Sequence, residues 1–518
     1  MNTRTAPSTG KLGPAMRAIL PALALAFIGG CSNPPPAATP AAQQAARPAN
    51  TTAAARPNVL VIIADDLGSN DLSVAGGRIP TPNLDRLAKS GIRYTEGYAT
   101  AAVCAPSRSG LLAGRQQNRF GFEFNPVGRD ETLGMSLKET TIAQTMKAAG
   151  YRTGMVGKWH IGQGPGFHPL DRGFDSFYGV LGGGTPYWKT KGEGDLQVAT
   201  AEDRIITRER LPLVDGRTPV DPEGYVTDLF TDRAIDFIGA GKRGQPFFLY
   251  LSYTAPHTPL QATAKYLKPA KPGQTDYHRV YDAMVDALDQ GVGRVMDHLR
   301  KTGQLSDTLV FVVSDNGCPS YVGGACSNAP LNGWKGYPHE GGLRVPFLMS
   351  WPARIKPAVR GDIVSTLDIA ATAAAVARTT HPKAEGIDLV GKIDDGVRLE
   401  DRSLFWRNGP NLTVRHGRWK LIVVNKAAAP AGAGDELGRS LRADGLPAEV
   451  SPLGQWVLLY DLEKDPGEKN DIAARHPEVV QDLRRRWAAW NEGNVAPQWT
   501  SRRSLTAEID GVRFELFN

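Results

Sequence analysis

Two apolar runs that end in acidic or amide residues, and one cysteine beside an arginine, are where this chain can do chemistry. Asn58–Asp66 (NVLVIIADD) closes on Asp65 and Asp66, and Val310–Gly317 (VFVVSDNG) carries Asp315 and Asn316. Adjacent carboxylates repel each other, so a divalent cation is a natural reason to concentrate them. An Asp-Asp pair taken alone is more often a helix cap or a turn. Neither cluster contains His or Cys, and all-oxygen ligation favours a hard ion, Ca²⁺ with Mg²⁺ as the alternative, over zinc. Cys104 opens Cys104–Arg108 (CAPSR). Pro106 is tolerated only in the first turn of a helix, which puts Cys104 at a helix entry, where free N–H groups and the dipole favour an anion. A lone Cys is most often a buried thiol, so that reading stands beside a catalytic one.

The elements that must position these groups read as α/β. Unbroken Val/Leu/Ile content makes Asn58–Ala64, Phe247–Tyr253 and Thr308–Val313 buried strands, with another at Val345–Ser350. Ligands of open α/β sheets bind beyond the carboxyl ends of the strands, where Asp65, Asp66, Asp315 and Asn316 sit. His257, just after Phe247–Tyr253, falls at the same edge. Thr81 caps a helix that begins at Pro82 and stops at Gly91. Tyr277–Leu299 is a long helix, its apolar face running from Val280 to Leu299 at helical spacing. After about residue 380 the pattern changes. Leu412–Val424 alternates as antiparallel strands do, Ala427–Pro452 is a Gly/Ala/Pro-rich insertion, Val457–Leu462 is a strand and Glu478–Glu492 an amphipathic helix.

The run from Cys104 to Arg108, continued by Ser109-Gly110-Leu111-Leu112-Ala113-Gly114-Arg115, resembles the signature of the type I, formylglycine-dependent sulfatases. Gly150–His160 (GYRTGMVGKWH) is similar to that family's second signature, and the likeness extends from about Pro57 to Asp471. The resemblance implies an arylsulfatase-like sulfuric ester hydrolase of the alkaline phosphatase-like superfamily. Its fold is a large domain with a mixed, mostly parallel sheet flanked by helices, plus a smaller C-terminal subdomain with an antiparallel sheet and a terminal helix. It also implies that a formylglycine-generating maturation enzyme oxidises Cys104. Hydrated, the aldehyde offers two hydroxyls on one carbon: one attacks sulfur, and the other loses its proton so that the carbonyl re-forms and sulfate leaves.

The same resemblance assigns roles. Asp65, Asp66, Asp315 and Asn316, with the residue at Cys104, hold the metal. Arg108 steadies the hydrate and nearby carboxylates through its donor fork. Lys158 contacts the sulfate oxygens, His160 is the base that collapses the intermediate, His257 protonates the leaving oxygen, and Lys335 binds sulfate and leaving group. Trp334 and Tyr337-Pro338-His339 depart from the family's pattern around Lys335, which puts the local backbone there in question. Gln116–Pro126 and Phe167–Asp175 are similar to stretches of polysaccharide-acting sulfatases. Arg119, Glu123, Asn125 and His168 are candidate sugar ligands and Trp188 a stacking platform, each equally readable as structural.

The 518 residues, 41% hydrophobic and 22% charged, supply a large core, and 60 basic against 53 acidic side chains leave a mild +7. That balance fits an Arg-rich proteome or a polyanionic substrate, and no Lys/Arg run of the kind that grips nucleic acid is present. Residues 1–30 read as a lipoprotein signal peptide, with Ile28-Gly29-Gly30-Cys31 resembling a lipobox, and residues 31–56 as a Pro/Ala/Thr-rich disordered tether. The catalytic domain is expected over 57–380 and the C-terminal subdomain over 381–518. The expectation is an exported bacterial lipoprotein of the periplasm or cell surface, held at the outer membrane through lipid on Cys31 alone. Cys318 and Cys326 would either close a small disulfide loop or remain two free thiols. The expected substrate is a sulfated carbohydrate or an aryl sulfate. A phosphonate monoester or phosphodiester hydrolase, and a non-catalytic sulfoglycan-binding lipoprotein, are the competing readings.

Overall fold

Residues 56–126, 130–200, 203, 212–242, 244–427, 439–441, 452–501 and 503–517 are described by a computed structural model. The expected leader, with Cys31, and all of the expected tether but Arg56 lie outside the described residues. The described residues lie in one compact unit. Among the described residues no helix is long and apolar enough to cross a membrane.

The strands, in chain order, are β1 (Asn58–Ala64), β2 (Ile92–Tyr98), β3 (Arg152–Lys158), β4 (Ser176–Val180), β5 (Leu196–Val198), β6 (Leu213–Asp215), β7 (Thr218–Val220), β8 (Phe247–Ser252), β9 (Leu260–Ala262), β10 (Thr308–Ser314), β11 (Phe347–Ser350) and β12 (Ala358–Ser365). All but β5 and β9, which pair as a separate ribbon, form a ten-stranded sheet in the order β12-β2-β11-β10-β1-β8-β3-β4-β6-β7. β11 and β6 run against the other eight, so the sheet is mixed and mostly parallel. Along β1, Leu60 and Ile62 enter one core cluster while Val59, Val61 and Ile63 enter the other. Both faces are therefore buried, which is why the run is continuously apolar rather than alternating.

Register brings the site together. Ala64 lies opposite Ser314, so Asp65-Asp66 and Asp315-Asn316 leave the sheet side by side. Ser252, the last residue of β8, lies opposite both Ile63 and Gly157, placing the β8 exit toward His257 and the β3 exit at Lys158 in the same row. Gly157 has φ +110°, and a Cβ there would stand 1.8 Å from the Ser252 carbonyl oxygen, so only glycine lets β3 close on β8 here.

Helix α1 (Pro82–Ser90) begins where expected, but Thr81 does not cap it with its side chain. Asp289, from the long helix Asp276–Lys301, instead accepts from the Asn83 and Leu84 N–H groups, while Thr81 Oγ1 bonds Asp85. A carboxylate at these free donors outcompetes a hydroxyl. Helix α2 (Cys104–Ala113) starts at Cys104, with Pro106 in its first turn.

The C-terminal part holds a four-stranded antiparallel sheet, β13 (Ser403–Asn408), β14 (Asn411–His416), β15 (Trp419–Asn425) and β17 (Gln455–Asp461), and the helix Pro477–Asn491. Most of the Ala427–Pro452 insertion lies outside the described residues, but its short strand β16 (Arg439–Leu441) pairs with β18 (Arg503–Ile509). β18 and β19 (Val512–Phe517) make a hairpin that the sequence patterns did not announce.

Candidate active site

Cys104 is buried, its Sγ 3.5 Å from Asp65 Oδ1 and 3.8 Å from Asp66 Oδ1. Asp65, Asp66, Cys104 and His257 each present a ligand atom, all within 4.8 Å of one another. His257 thus joins the cluster, a placement the sequence-derived metal set lacked. Asp315 lies beside it: its Oδ1 accepts from the Asp66 N–H at 3.2 Å and its Oδ2 from Arg108 Nε at 2.8 Å. Asn316 Nδ2 donates to Asp66 Oδ1 at 2.7 Å, while Asn316 Oδ1 is buried without a hydrogen-bond partner. An orphaned amide oxygen on a residue bonded to Asp66 and adjacent to Asp315 is a donor suited to a hard cation.

Cations surround the carboxylates. Lys158, wholly buried, reaches Asp65 Oδ2 at 2.6 Å, and Lys335 reaches Asp66 at 2.8 Å. Arg108 Nη1 donates to the Lys158 carbonyl at 3.0 Å and to Ser252 Oγ, and Nη2 lies 3.5 Å from Asp65 Oδ1. Burial alone would raise the Asp65 and Asp66 pKa values, but Lys158, His257 and Arg108 around Asp65, and Lys335 and His257 around Asp66, hold both below the usual range. Burial opposes charge on Lys335, and Asp66 overrides it, keeping the ammonium protonated. Burial, then Lys158 and Arg108, keep His160 neutral, and its Nδ1 has no hydrogen-bond partner. Asp66 and His160 both take left-handed backbone, φ +67° and +64°, a strain typical of residues aimed at a site.

The loops carrying Asn316 and Lys335 are tied to one another. Cys318 and Cys326 are disulfide-bonded, and the Lys335 N–H donates to the Cys318 carbonyl at 2.9 Å. Gly317 is packed so closely that a Cβ would meet the Gly341 carbonyl oxygen at 1.7 Å. The unusual aromatics around Lys335 have a physical reason: Tyr337 and His339 pack on Phe514 of the C-terminal hairpin, at ring distances of 6.1 and 5.7 Å. Just beyond, Lys420 of β15 is wholly buried between Glu340 and Glu468, 2.9 Å from each. Burial and the neighbouring Glu340 push Glu468 up to about 7 despite Lys420. A carboxyl raised on folding contributes stability that is complete below its unfolded value and is lost as pH rises through the folded one. Thermal unfolding between pH 5 and 8 should therefore show a loss of stability that Glu468→Gln removes.

Most of the proposed sugar ligands are spoken for. Arg119 pairs with Glu385 at 2.7 Å and stacks on Trp490. Glu123 pairs with Arg407 at 2.7 Å. His168 Nδ1 accepts from the Leu170 N–H at 3.2 Å, capping a short 3₁₀ turn. Asn125 Oδ1 accepts from the Ala105 N–H at 3.1 Å, at the start of α2, so it supports the Cys104 turn. Arg119 and Glu123 thereby brace the main sheet region against later parts of the chain, while His168 and Asn125 hold nearer turns. Trp188 lines a cavity of about 410 Å³ with Lys189 and Asp221. Sequence reasoning missed Ser252, Tyr187, whose hydroxyl donates to the Thr254 and His257 carbonyls, and Tyr321, whose hydroxyl lies 3.5 Å from Asp66 Oδ2. No motif flags any of the three.

A profile of the Sulfatase family matches residues 57–379. Arylsulfatase A of Bos taurus is 32% identical over 466 residues, spanning 84% of this chain and 87% of its own length. An arylsulfatase of Hemicentrotus pulcherrimus is 33% identical over 449 residues, 81% of this chain and 78% of that one. The crystal structure of Ps i-CgsB in complex with k-i-k-neocarrahexaose aligns with a TM-score of 0.73 at 29% identity, covering 86% of this chain and 95% of that one. The phosphonate monoester hydrolase of Agrobacterium radiobacter, at 18% identity and a TM-score of 0.56, shares the fold. The alkaline phosphatase-like fold, both signature segments at one sheet edge and these relatives agree: the chain belongs to the sulfatase family of sulfuric ester hydrolases.

Proposed function

We propose that this enzyme hydrolyses sulfate esters on a glycan, using formylglycine made from Cys104 and a bound hard divalent ion. The observation that carries this is the convergence of Cys104, two buried carboxylates, the orphaned Asn316 Oδ1 and the Lys158 and Lys335 ammonium groups at one sheet edge. Cys104 and His257 in the cluster would admit a softer ion, but oxidation of Cys104 removes the only sulfur. With Asp65, Asp66, Asp315 and Asn316 as its holders, Ca²⁺ or Mg²⁺ supplies positive charge for the sulfate oxygens. Formylglycine, as its hydrate, supplies a nucleophilic hydroxyl and a second hydroxyl whose deprotonation re-forms the carbonyl.

The chain's own residues do the rest. Lys158 and Lys335 bind sulfate oxygens from a buried, preorganised position and stabilise charge that spreads over them. Arg108, fixed by Asp315, Ser252 and the Lys158 carbonyl, orients the side chain one helical turn away at position 104. His160, held neutral, accepts the proton at position 104, and His257 gives one to the departing alcohol oxygen.

The glycan preference is supported by the neighbour crystallised with k-i-k-neocarrahexaose and by the +7 balance of the chain. Lipidation at Cys31, export and outer-membrane anchoring form part of the same proposal, since a tethered enzyme suits scavenging of sulfated polymers. Mass spectrometry of the peptide spanning Cys104 should find the aldehyde or its hydrate; a thiol alone in active protein refutes the nucleophile. Parallel kinetics should favour an aryl sulfate over an aryl phosphodiester, and a large preference for the diester would reassign the reaction.

A further inference from the structure

Asp66 Oδ2 is a meeting point for polar side chains. Lys335 Nζ lies 2.8 Å from it, His257 Nε2 3.6 Å and the Tyr321 hydroxyl 3.5 Å. Lys335 and His257 are the two groups assigned above to the leaving-group side. The third has no assigned role. Tyr321 is half-buried, its ring against the main core, whereas Asp66 is wholly enclosed.

The loop that carries Tyr321 is built to hold it there. It leaves the sheet directly after Asn316-Gly317 and is closed on itself by the Cys318–Cys326 disulfide. Asn328 braces its base, accepting from the Cys318 N–H and donating to the Cys318 and Gly333 carbonyls, each at 3.2 Å. The Ser327 N–H donates to buried Asp71 at 2.8 Å. The same Cys318 carbonyl accepts from the Lys335 N–H, so one peptide fixes both Tyr321's loop and Lys335. Charge for the sulfate is already supplied by two lysines. A phenol adds a neutral group that both donates and accepts, which is what a sugar hydroxyl beside the ester requires.

We propose that Tyr321 is a substrate-binding residue that recognises a neutral hydroxyl on the alcohol side of the scissile sulfate, and that the disulfide loop delivers it. The proposal rests on the sulfated-glycan reading. Full-length Tyr321→Phe should lose kcat/KM about tenfold more on a sulfated saccharide than on 4-nitrophenyl sulfate, the worth of one hydrogen bond. The loss should fall in KM, with unchanged Ca²⁺ affinity by calorimetry. The double variant Cys318→Ser, Cys326→Ser should show the same substrate bias, and adding Tyr321→Phe to it should add little. Equal losses on both substrates, or weakened Ca²⁺ binding, would place Tyr321 in the metal's surroundings and overturn the proposal. Turnover of 4-nitrophenyl sulfate by the unaltered enzyme reports the sulfatase reading separately.

Discussion

Cys104→Ala should lose sulfate-ester turnover by about 10⁴-fold or more while unfolding at nearly the temperature of the unaltered protein, since removing a nucleophile costs that much or more. The two halves of this expectation have different physical sources. Cys104 is 1% exposed, but its sulfur makes only long contacts, 3.5 and 3.8 Å, to Asp65 and Asp66. Deleting one atom at the first turn of α2 costs about 1 kcal/mol of burial, partly offset by the better helix propensity of alanine. Burial also pushes the Cys104 thiol well up, with Lys158 and Lys335 favouring its ionisation and Asp315 and Asp65 opposing it. Cys104→Ser should be severely impaired, because a thiol-specific maturation system has nothing to oxidise. Near-normal kcat/KM in Cys104→Ala would remove position 104 from the chemistry.

The two acid/amide doublets were legible because each ends an unbroken apolar strand, and parallel pairing with matched ends leaves them nowhere else to go. Ala64 opposite Ser314 is that argument in one register pair. Lys158, His160 and Lys335 were legible only through resemblance, since an isolated Lys or His has no pattern of its own, whereas His257 was placed at the site edge by the strand before it. What escaped depended on contacts distant in sequence. Asp289 caps α1 across 205 residues. Phe514 of β19 in the C-terminal hairpin explains Tyr337 and His339, and Lys420 finds its carboxylates at Glu340 and Glu468. Two of the polar residues offered as sugar ligands also have partners distant in sequence: Arg119 is paired with Glu385 and Glu123 with Arg407, more than 260 positions away. Loop polarity alone does not distinguish a ligand from a brace.

His257→Asn should divide substrates by the basicity of the alcohol they release. His257 Nδ1 lies 2.7 Å from the Thr258 carbonyl oxygen, which can only accept, so Nδ1 carries a hydrogen. Nε2, facing Asp66 Oδ2 at 3.6 Å, is then a lone pair in the neutral ring and a donor only in the imidazolium. Burial, with Lys335 and Lys158, lowers the His257 pKa below the ordinary imidazole value, against the opposing pull of Asp65 and Asp66. The donor form is therefore populated on the acid side and disappears as pH rises through that lowered pKa. A sugar alkoxide is a poor leaving group and needs the proton; a nitrophenolate does not. On a sulfated saccharide the variant should lose roughly 10²–10⁴-fold, the usual worth of a general acid, and far less on 4-nitrophenyl sulfate. The saccharide rate of the unaltered enzyme should fall with rising pH over a limb that the variant lacks. The rival outcome is equally concrete. His257 also stands in the cluster with Asp65, Asp66 and Cys104, so equal losses on both substrates, accompanied by weaker ion binding, would make it a metal ligand and leave the leaving group's proton to another donor.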